Sequence, residues 1–299
     1  MNLVNIKPYT LLPDATWLIT GCSSGIGRAI ATLVASKPGQ RLIATARDPS
    51  SLSYLPDGSS DILKLALDVT SVESVNNAFK DAAQHFGNDF HLDIVINNAG
   101  YSLSGDTESA TEEETHQEIE TLFFGTARTT TRAIEVMRQA NGRGGVIFNI
   151  SSLAGLLGFA GHAYYHAGKF AVEGFSESVA REVHPDWNIN ICIVEPSGVK
   201  TNFEHHSKVR TKPHPAYTDD DMPSRKLEKY VNMGIKSGLG MNEPSAIAEA
   251  IYGIASRGER IPLRVPLGAT AWKMAKAKCE GFLAELDTVK DISALGKEL

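Results

Sequence analysis

The sequence predicts an α/β protein, a doubly wound parallel sheet with helices on both faces. Three observations carry that expectation. Short apolar runs that read as strands alternate with longer runs that read as helices. A glycine turn, Gly21-x3-Gly25-x-Gly27, joins the first strand to the first helix. Ser24, Arg47, Asp68, Asn97, Ser152 and Val199 each follow the C-terminal end of an expected strand. That is where open parallel sheets place their ligands, at the point where strand order reverses.

In chain order, the apolar core Trp17-Leu18-Ile19 places a strand over 16–20, and Arg28 to Ala35 reads as a helix over 26–36. Strands follow at 41–46 and 62–67, then a helix at 72–86 and a strand at 93–96. A long helix is expected over 112–138, a strand over 145–151, a helix over 163–183 and a strand over 190–194. Two further helices are expected at 244–255 and 270–287. Residues 203–240 break the alternation: they are polar, carry Pro213, Pro215 and Pro223, and end on two glycines. So long an irregular segment is usually functional or disordered, and it reads as a lid over the substrate. The expected organisation is an N-terminal extension, 1–14, and a single domain, 15–299, with the lid at 203–240 and a C-terminal helical part at 241–299.

Composition narrows the function. A chain of 299 residues, 42% hydrophobic and 21% charged, suits a single large core. A net charge of −6 argues against a nucleic-acid partner, which leaves a basic footprint. Three cysteines, Cys22, Cys192 and Cys279, form no even framework. They fit a reducing, cytoplasmic setting. None has a partner at metal-ligand spacing, so no metal is expected. The pair His205-His206 reads as surface. No apolar stretch reaches membrane-spanning length, and Met1 to Pro13 lacks the apolar core of a secretory peptide. Asn149-Ile150-Ser151 fits a glycosylation pattern but lies in an expected buried strand.

Two motifs carry chemistry. The first is Thr20-Gly21-Cys22-Ser23-Ser24-Gly25-Ile26-Gly27, between strand and helix. Gly21 permits a tight turn, Gly25 lets backbone approach a pyrophosphate, and Gly27 packs helix on sheet. The helix N-terminus offers free N–H donors and the positive end of its dipole. The second is Tyr165-His166-Ala167-Gly168-Lys169, thirteen residues after the end of Ser151-Ser152. Four-residue spacing puts Tyr165 and Lys169 on one helix face. An ammonium beside a phenol favours phenolate, lowering the tyrosine from its reference pKa of about 10 toward usable acid–base range. Tyr164 is five residues from the lysine and turns roughly 140° away on a helix, so it reads as packing.

Together, in this order, the motifs resemble the short-chain dehydrogenase/reductase family, on a Rossmann-type sheet. Asn97-Asn98-Ala99-Gly100 after Ile94-Val95-Ile96, Asp68-Val69 after Leu63 to Leu67, and Pro196-Ser197-Gly198-Val199-Lys200-Thr201 fit the same pattern. The resemblance implies catalytic Ser152, Tyr165 and Lys169. It implies cofactor contacts from Gly21, Ser23, Ser24, Gly25, Ile26, Gly27, Arg47, Asp68, Val69, Asn97, Ala99, Gly100, Tyr165, Lys169, Val199 and Thr201. Asp68 and Val69 would meet the adenine, and Val199 and Thr201 the nicotinamide amide. Tyr165 would exchange a proton with the substrate oxygen, Lys169 would also hold the nicotinamide ribose, and Ser152 would hydrogen-bond that oxygen. A homodimer or homotetramer through the central and catalytic helices is common in the family.

Cofactor choice rests on the end of the second strand. An acidic residue there usually holds a ribose 2′-hydroxyl. Arg47 stands there instead and suits a 2′-phosphate, so NADP(H) is expected over NAD(H). Asp48 argues the other way unless it caps the turn before Pro49. One departure matters: in Glu120-Thr121-Leu122-Phe123-Phe124-Gly125-Thr126, Leu122 occupies the place of the family's usual asparagine, which supports a water chain to the lysine. A leucine keeps only the backbone carbonyl of that relay. Three readings follow: a carbonyl/alcohol oxidoreductase, a non-redox enzyme such as an isomerase, dehydratase or cyclase, and an NADP(H)-binding protein without turnover. Leu153, Leu156, Leu157, Phe159 and Phe203 either line a pocket for a lipophilic small molecule or simply pack the loop.

Overall fold

The computed structural model describes residues 4–297 apart from 141, 202, 204–206 and 239. His205 and His206 therefore lie outside the described residues. The strands are β1 (Thr16–Ile19), β2 (Arg41–Ala46), β3 (Ile62–Ala66), β4 (Ile94–Asn97), β5 (Ser102–Ser104), β6 (Gly145–Ile150), β7 (Ile189–Pro196), β8 (Lys208–Arg210) and β9 (Arg264–Leu267). The helices are α1 (Gly25–Ala35), α2 (Val72–Phe86), α3 (Glu112–Ile119), α4 (Gly125–Gln139), α5 (Ala163–Glu182), α6 (Pro223–Ser237), α7 (Pro244–Ser256), α8 (Ala269–Thr288) and α9 (Lys290–Ser293).

Seven strands form one parallel sheet in the order β3-β2-β1-β4-β6-β7-β9. The order reverses between β1 and β4, which opens a crevice at their C-terminal ends. Alternate side chains build a core on each face. Trp17, Ile19, Leu42, Ile94 and Phe148 pack against Ile30 and Val34 of α1 and Ile247 and Ile251 of α7. Leu18, Ile43, Val95 and Ile147 pack against Phe79 of α2 and Ala133 and Met137 of α4. Each fully buried aromatic or branched side chain contributes about 1.5–3 kcal/mol. The N-terminal segment docks on the sheet: the Asn5 amide donates to Ile191 O at 2.8 Å and Ile261 O at 3.1 Å.

Three features differ from the expectation. The helix expected over 112–138 is interrupted by a π-helical turn, Glu120–Phe124, between α3 and α4. The segment 203–240 is not irregular throughout: β8 pairs with β5, and α6 fills fifteen residues. Within 241–299, β9 adds an edge strand to the central sheet, so that part is not wholly helical. Asn149 is fully buried and donates to Ser176 Oγ at 2.7 Å, so its glycosylation pattern is chance.

Candidate active site

The glycine turn is held against the end of β4. Asn98 Nδ2 donates to Thr20 O at 3.0 Å and Gly21 O at 3.1 Å. The Thr20 hydroxyl accepts the N–H of Asn98 at 2.9 Å and of Ala99 at 3.0 Å. Gly21 has φ +71° and Gly25 φ +57°, the left-handed region open to glycine. A Cβ on Gly27 would stand 2.3 Å from Gly21 O, so helix and turn meet with no room for a side chain. A Cβ on Gly25 would touch Thr201 Cγ2 at 3.4 Å, which brings the loop after β7 beside the turn. Val199 is fixed there by a bridge to Asn242. Ser23 and Ser24 are exposed, and Ser24 begins α1 without a side-chain cap. This is a backbone cradle whose helix N-terminus lacks a side-chain acceptor, and its chemistry fits a phosphate. Ile26 packs on the core beneath it.

Beyond β2, Arg47 is exposed. Asp48 accepts the Ser50 N–H at 2.9 Å and the Ser50 hydroxyl at 2.7 Å. Those bonds hold its carboxyl below the usual range. Asp48 is therefore an N-cap, as its position before Pro49 suggested. Asp68 Oδ1 accepts the N–H of Thr70 at 2.9 Å and its hydroxyl at 2.7 Å. Val69 is buried under Gly125. The Asn97 amide points into the core, donating to Thr130 Oγ1 at 2.9 Å and Asn149 Oδ1 at 2.8 Å. Sequence reasoning missed Arg28, whose guanidinium lies 4.2 Å from the centre of the Tyr54 ring.

On the other side of the crevice, α5 carries Tyr165 and Lys169. The Lys169 Nζ lies 5.7 Å from the centre of the Tyr165 ring and donates to Ile150 O at 2.8 Å. That bond ties the helix to the strand that leads into Ser151 and Ser152. The two serines divide their roles. Ser151 is buried and donates to Glu173 Oε1 at 2.6 Å. Ser152 is half-buried, its oxygen accepting the Ala154 N–H at 3.1 Å. Burial brings the Lys169 pKa down to about 8, partly offset by the Glu118 carboxylate.

His166, next to Tyr165, was also missed. Its Nε2 accepts the Phe159 N–H at 3.0 Å, so Nδ1 carries the proton donated to Ala154 O at 2.7 Å. This neutral imidazole clamps both ends of the loop after Ser152 to α5, and burial lowers its pKa. Phe203 lies 6.4 Å from Tyr165, centre to centre. Leu122 is buried between two glycines: a Cβ on Gly100 or Gly168 would come within 2.8 Å of its methyls. Among the described residues no group of three His, Cys, Asp or Glu side chains could hold a metal ion. Nor is any helix among them long and apolar enough to cross a membrane.

A seven-stranded parallel sheet with this crevice defines a dinucleotide-binding fold. The short chain dehydrogenase family profile matches residues 15–211, and the chain belongs to that family of nicotinamide-dependent oxidoreductases. It is 65% identical over 296 residues to Oxidoreductase calM of Penicillium decumbens, covering 99% of this chain and 97% of that one. It resembles the structure of a short-chain dehydrogenase from Streptomyces avermitilis, with a TM-score of 0.80 and 33% identity over 93% of this chain and 98% of that one. An alcohol dehydrogenase from Thermococcus sibiricus complexed with 5-hydroxy-NADP matches with a TM-score of 0.61 and 26% identity, over 79% of this chain and 88% of that one.

Proposed function

We propose that this oxidoreductase interconverts a carbonyl and an alcohol on a lipophilic small molecule, with NADP(H) as cofactor and Tyr165 as proton donor and acceptor. The observation that supports the reading is the Lys169–Ile150 bond, which ties the helix bearing Tyr165 and Lys169 to the strand that leads into Ser152. When bound, the nicotinamide supplies or accepts the hydride. Gly21, Ser23, Ser24, Gly25, Ile26 and Gly27 would hold its phosphates, and Arg47 its 2′-phosphate. Asp68 and Val69 would meet the adenine, the Asn97–Gly100 turn the ribose, and Val199 and Thr201 the amide. Ser152 hydrogen-bonds the substrate oxygen as charge develops there. Tyr165 delivers the proton to that oxygen, and the Lys169 ammonium favours the phenolate left behind.

NADP(H) rather than NAD(H) is supported by Arg47 standing free of the Asp48 carboxylate, which is committed to Ser50. The 5-hydroxy-NADP in the Thermococcus sibiricus relative agrees with it. A lipophilic substrate is supported by Phe159, packed on His166, and by Phe203, beside Tyr165. The segment 203–240 would act as lid. Exposed Phe124 and Phe170, on the central and catalytic helices, suit a homodimer or homotetramer, and three free thiols suit the cytoplasm. The test is NADPH and NADH absorbance against a panel of apolar ketones. Faster consumption of NADPH is expected; binding without consumption across the panel would favour a non-redox enzyme or a binding protein.

A further inference from the structure

α8 starts on the body of the molecule and then leaves it. Ala271 is buried and Met274 and Ala275 are half-buried, where the first turns rest on β9 and on residues 153–155. Every residue from Lys276 to Lys290 is exposed. The helical run 276–288 therefore has no element of the described chain covering it. A helix of about 12–15 residues is marginal in water by itself, and helices in proteins persist chiefly by packing an apolar face. Gly281, in the middle of the run, weakens it further.

The helix has such a face. Trp272, Ala275, Cys279, Phe282, Leu286 and Val289 follow one another at alternating steps of three and four, which aligns them in one stripe. Leu283 widens it. Trp272, Phe282, Leu283 and Leu286 are 44–62% exposed. A continuous apolar surface rimmed by charge marks a contact site.

The charges indicate which contact. Lys273, Lys276 and Lys278 occupy the first half of α8, and Glu280, Glu285 and Asp287 the second. They sum to zero, so α8 lacks the basic polar face that draws an amphipathic helix to an anionic membrane surface. Their order suits a copy of the same helix laid antiparallel, each basic half against an acidic half. Lys276 is engaged within its own helix, 3.7 Å from Glu280 and 5.5 Å from the centre of the Trp272 ring. Lys278 and Glu285 form no ion pair among the described residues. Seven positions apart, they share the flank of the stripe opposite Leu283.

We propose that α8 pairs antiparallel with α8 of a second copy of this chain. The seam sets Trp272 on the partner's Val289, Ala275 on the partner's Leu286 and Cys279 on the partner's Phe282. Lys278 faces the partner's Glu285, and Glu285 faces the partner's Lys278. A parallel pair would lay the basic halves side by side. The contact is separate from the α4–α5 face that bears Phe124 and Phe170, and it holds whatever reaction the crevice performs.

Sedimentation velocity of the whole protein over a range of micromolar concentrations reads the assembly, with circular dichroism to confirm the fold. Phe282→Glu should halve the mass of the parent assembly. Lys278→Glu or Glu285→Lys alone should weaken association about tenfold at low salt, and both on one chain should restore it. Ala275→Cys with Leu286→Cys, on a Cys279→Ser background, should form a disulfide between chains when treated with diamide. Those two positions lie too far apart along one helix to bridge within a chain. A monomeric parent overturns the proposal. So does an assembly whose mass ignores Phe282→Glu and both charge reversals, and its loss in Phe170→Glu would then assign it to the α4–α5 face. Flotation of a monomeric parent with phosphatidylcholine–phosphatidylserine vesicles, lost in Phe282→Glu, overturns the proposal in favour of a membrane surface. If Phe282→Glu fails to fold, the charge reversals decide: association that is equal in the single and double variants overturns the antiparallel pair.

Discussion

The two sides of the crevice are built differently. On the glycine side, backbone forms the surface a ligand would meet: the Thr20 hydroxyl and the Asn98 amide hold main-chain groups of Asn98, Ala99 and Gly21 from behind, and Gly27 leaves no room for a Cβ. On the other side, side chains do it. Buried Asp106 accepts the His214 N–H at 3.0 Å and the Ser224 hydroxyl at 3.3 Å, and it pairs with Arg225, tying residues 207–238 to the body. A site made of backbone admits few replacements without moving the sheet. A site made of side chains can be recut one residue at a time. The first suits an invariant ligand part such as a pyrophosphate, and the second suits a substrate that differs from enzyme to enzyme.

That contrast can be broken most sharply at Tyr165, where the sides meet. Tyr165→Phe should lower kcat by about 10³-fold, within the usual range for a positioned proton donor, while fluorescence titration shows NADPH affinity unchanged. A variant that keeps most of its rate would move the proton donor elsewhere. On the cofactor side, Arg47→Ala should cost NADPH about 1.5–3 kcal/mol of affinity and NADH almost none. Equal losses for both nucleotides would dissolve the distinction between the two faces of that turn.

The smallest expected effect is on the substrate side, at His166. Its folded pKa lies below its unfolded value of about 6.5. The unfolded chain therefore binds more protons, so the stability from the neutral clamp is present above about pH 6.5 and is lost as pH falls through the lower folded value. Protonation would set an Nε2–H against the Phe159 N–H. His166→Gln, which can accept and donate without titrating, should flatten the acid side of a melting-temperature profile by about 1 kcal/mol. It should leave NADPH affinity untouched. An acid limb identical to the parent would assign that limb to other groups.

How much was legible in the sequence follows from the same contrast. The glycine turn and the Tyr165–Lys169 pair are local spacings, and local spacing survives in one dimension. β9 was not legible because Pro266 argues against a strand; as the edge strand of the sheet, it tolerates the lost N–H. α6 has Pro223 in its first turn and Leu227, Val231 and Ile235 four residues apart, so its helical period was present in the sequence but was passed over among the prolines and polar residues of 203–240. Nothing in Glu120–Phe124 announced a π-helical turn. His166 was invisible because its role depends on Phe159 and Ala154, brought to it only by the fold.

The central claim is that hydride passes between the nicotinamide on the backbone-built side and a carbonyl carbon on the side-chain-built side. Its most direct measurement uses NADPH carrying deuterium at the transferable position, with mass spectrometry of the product of an apolar ketone. The account predicts one deuterium on the carbinol carbon of every product molecule, from one face only, with product formed about 10³-fold more slowly when Tyr165→Phe replaces the parent. Product without deuterium, or nucleotide that binds and is never consumed, would contradict it.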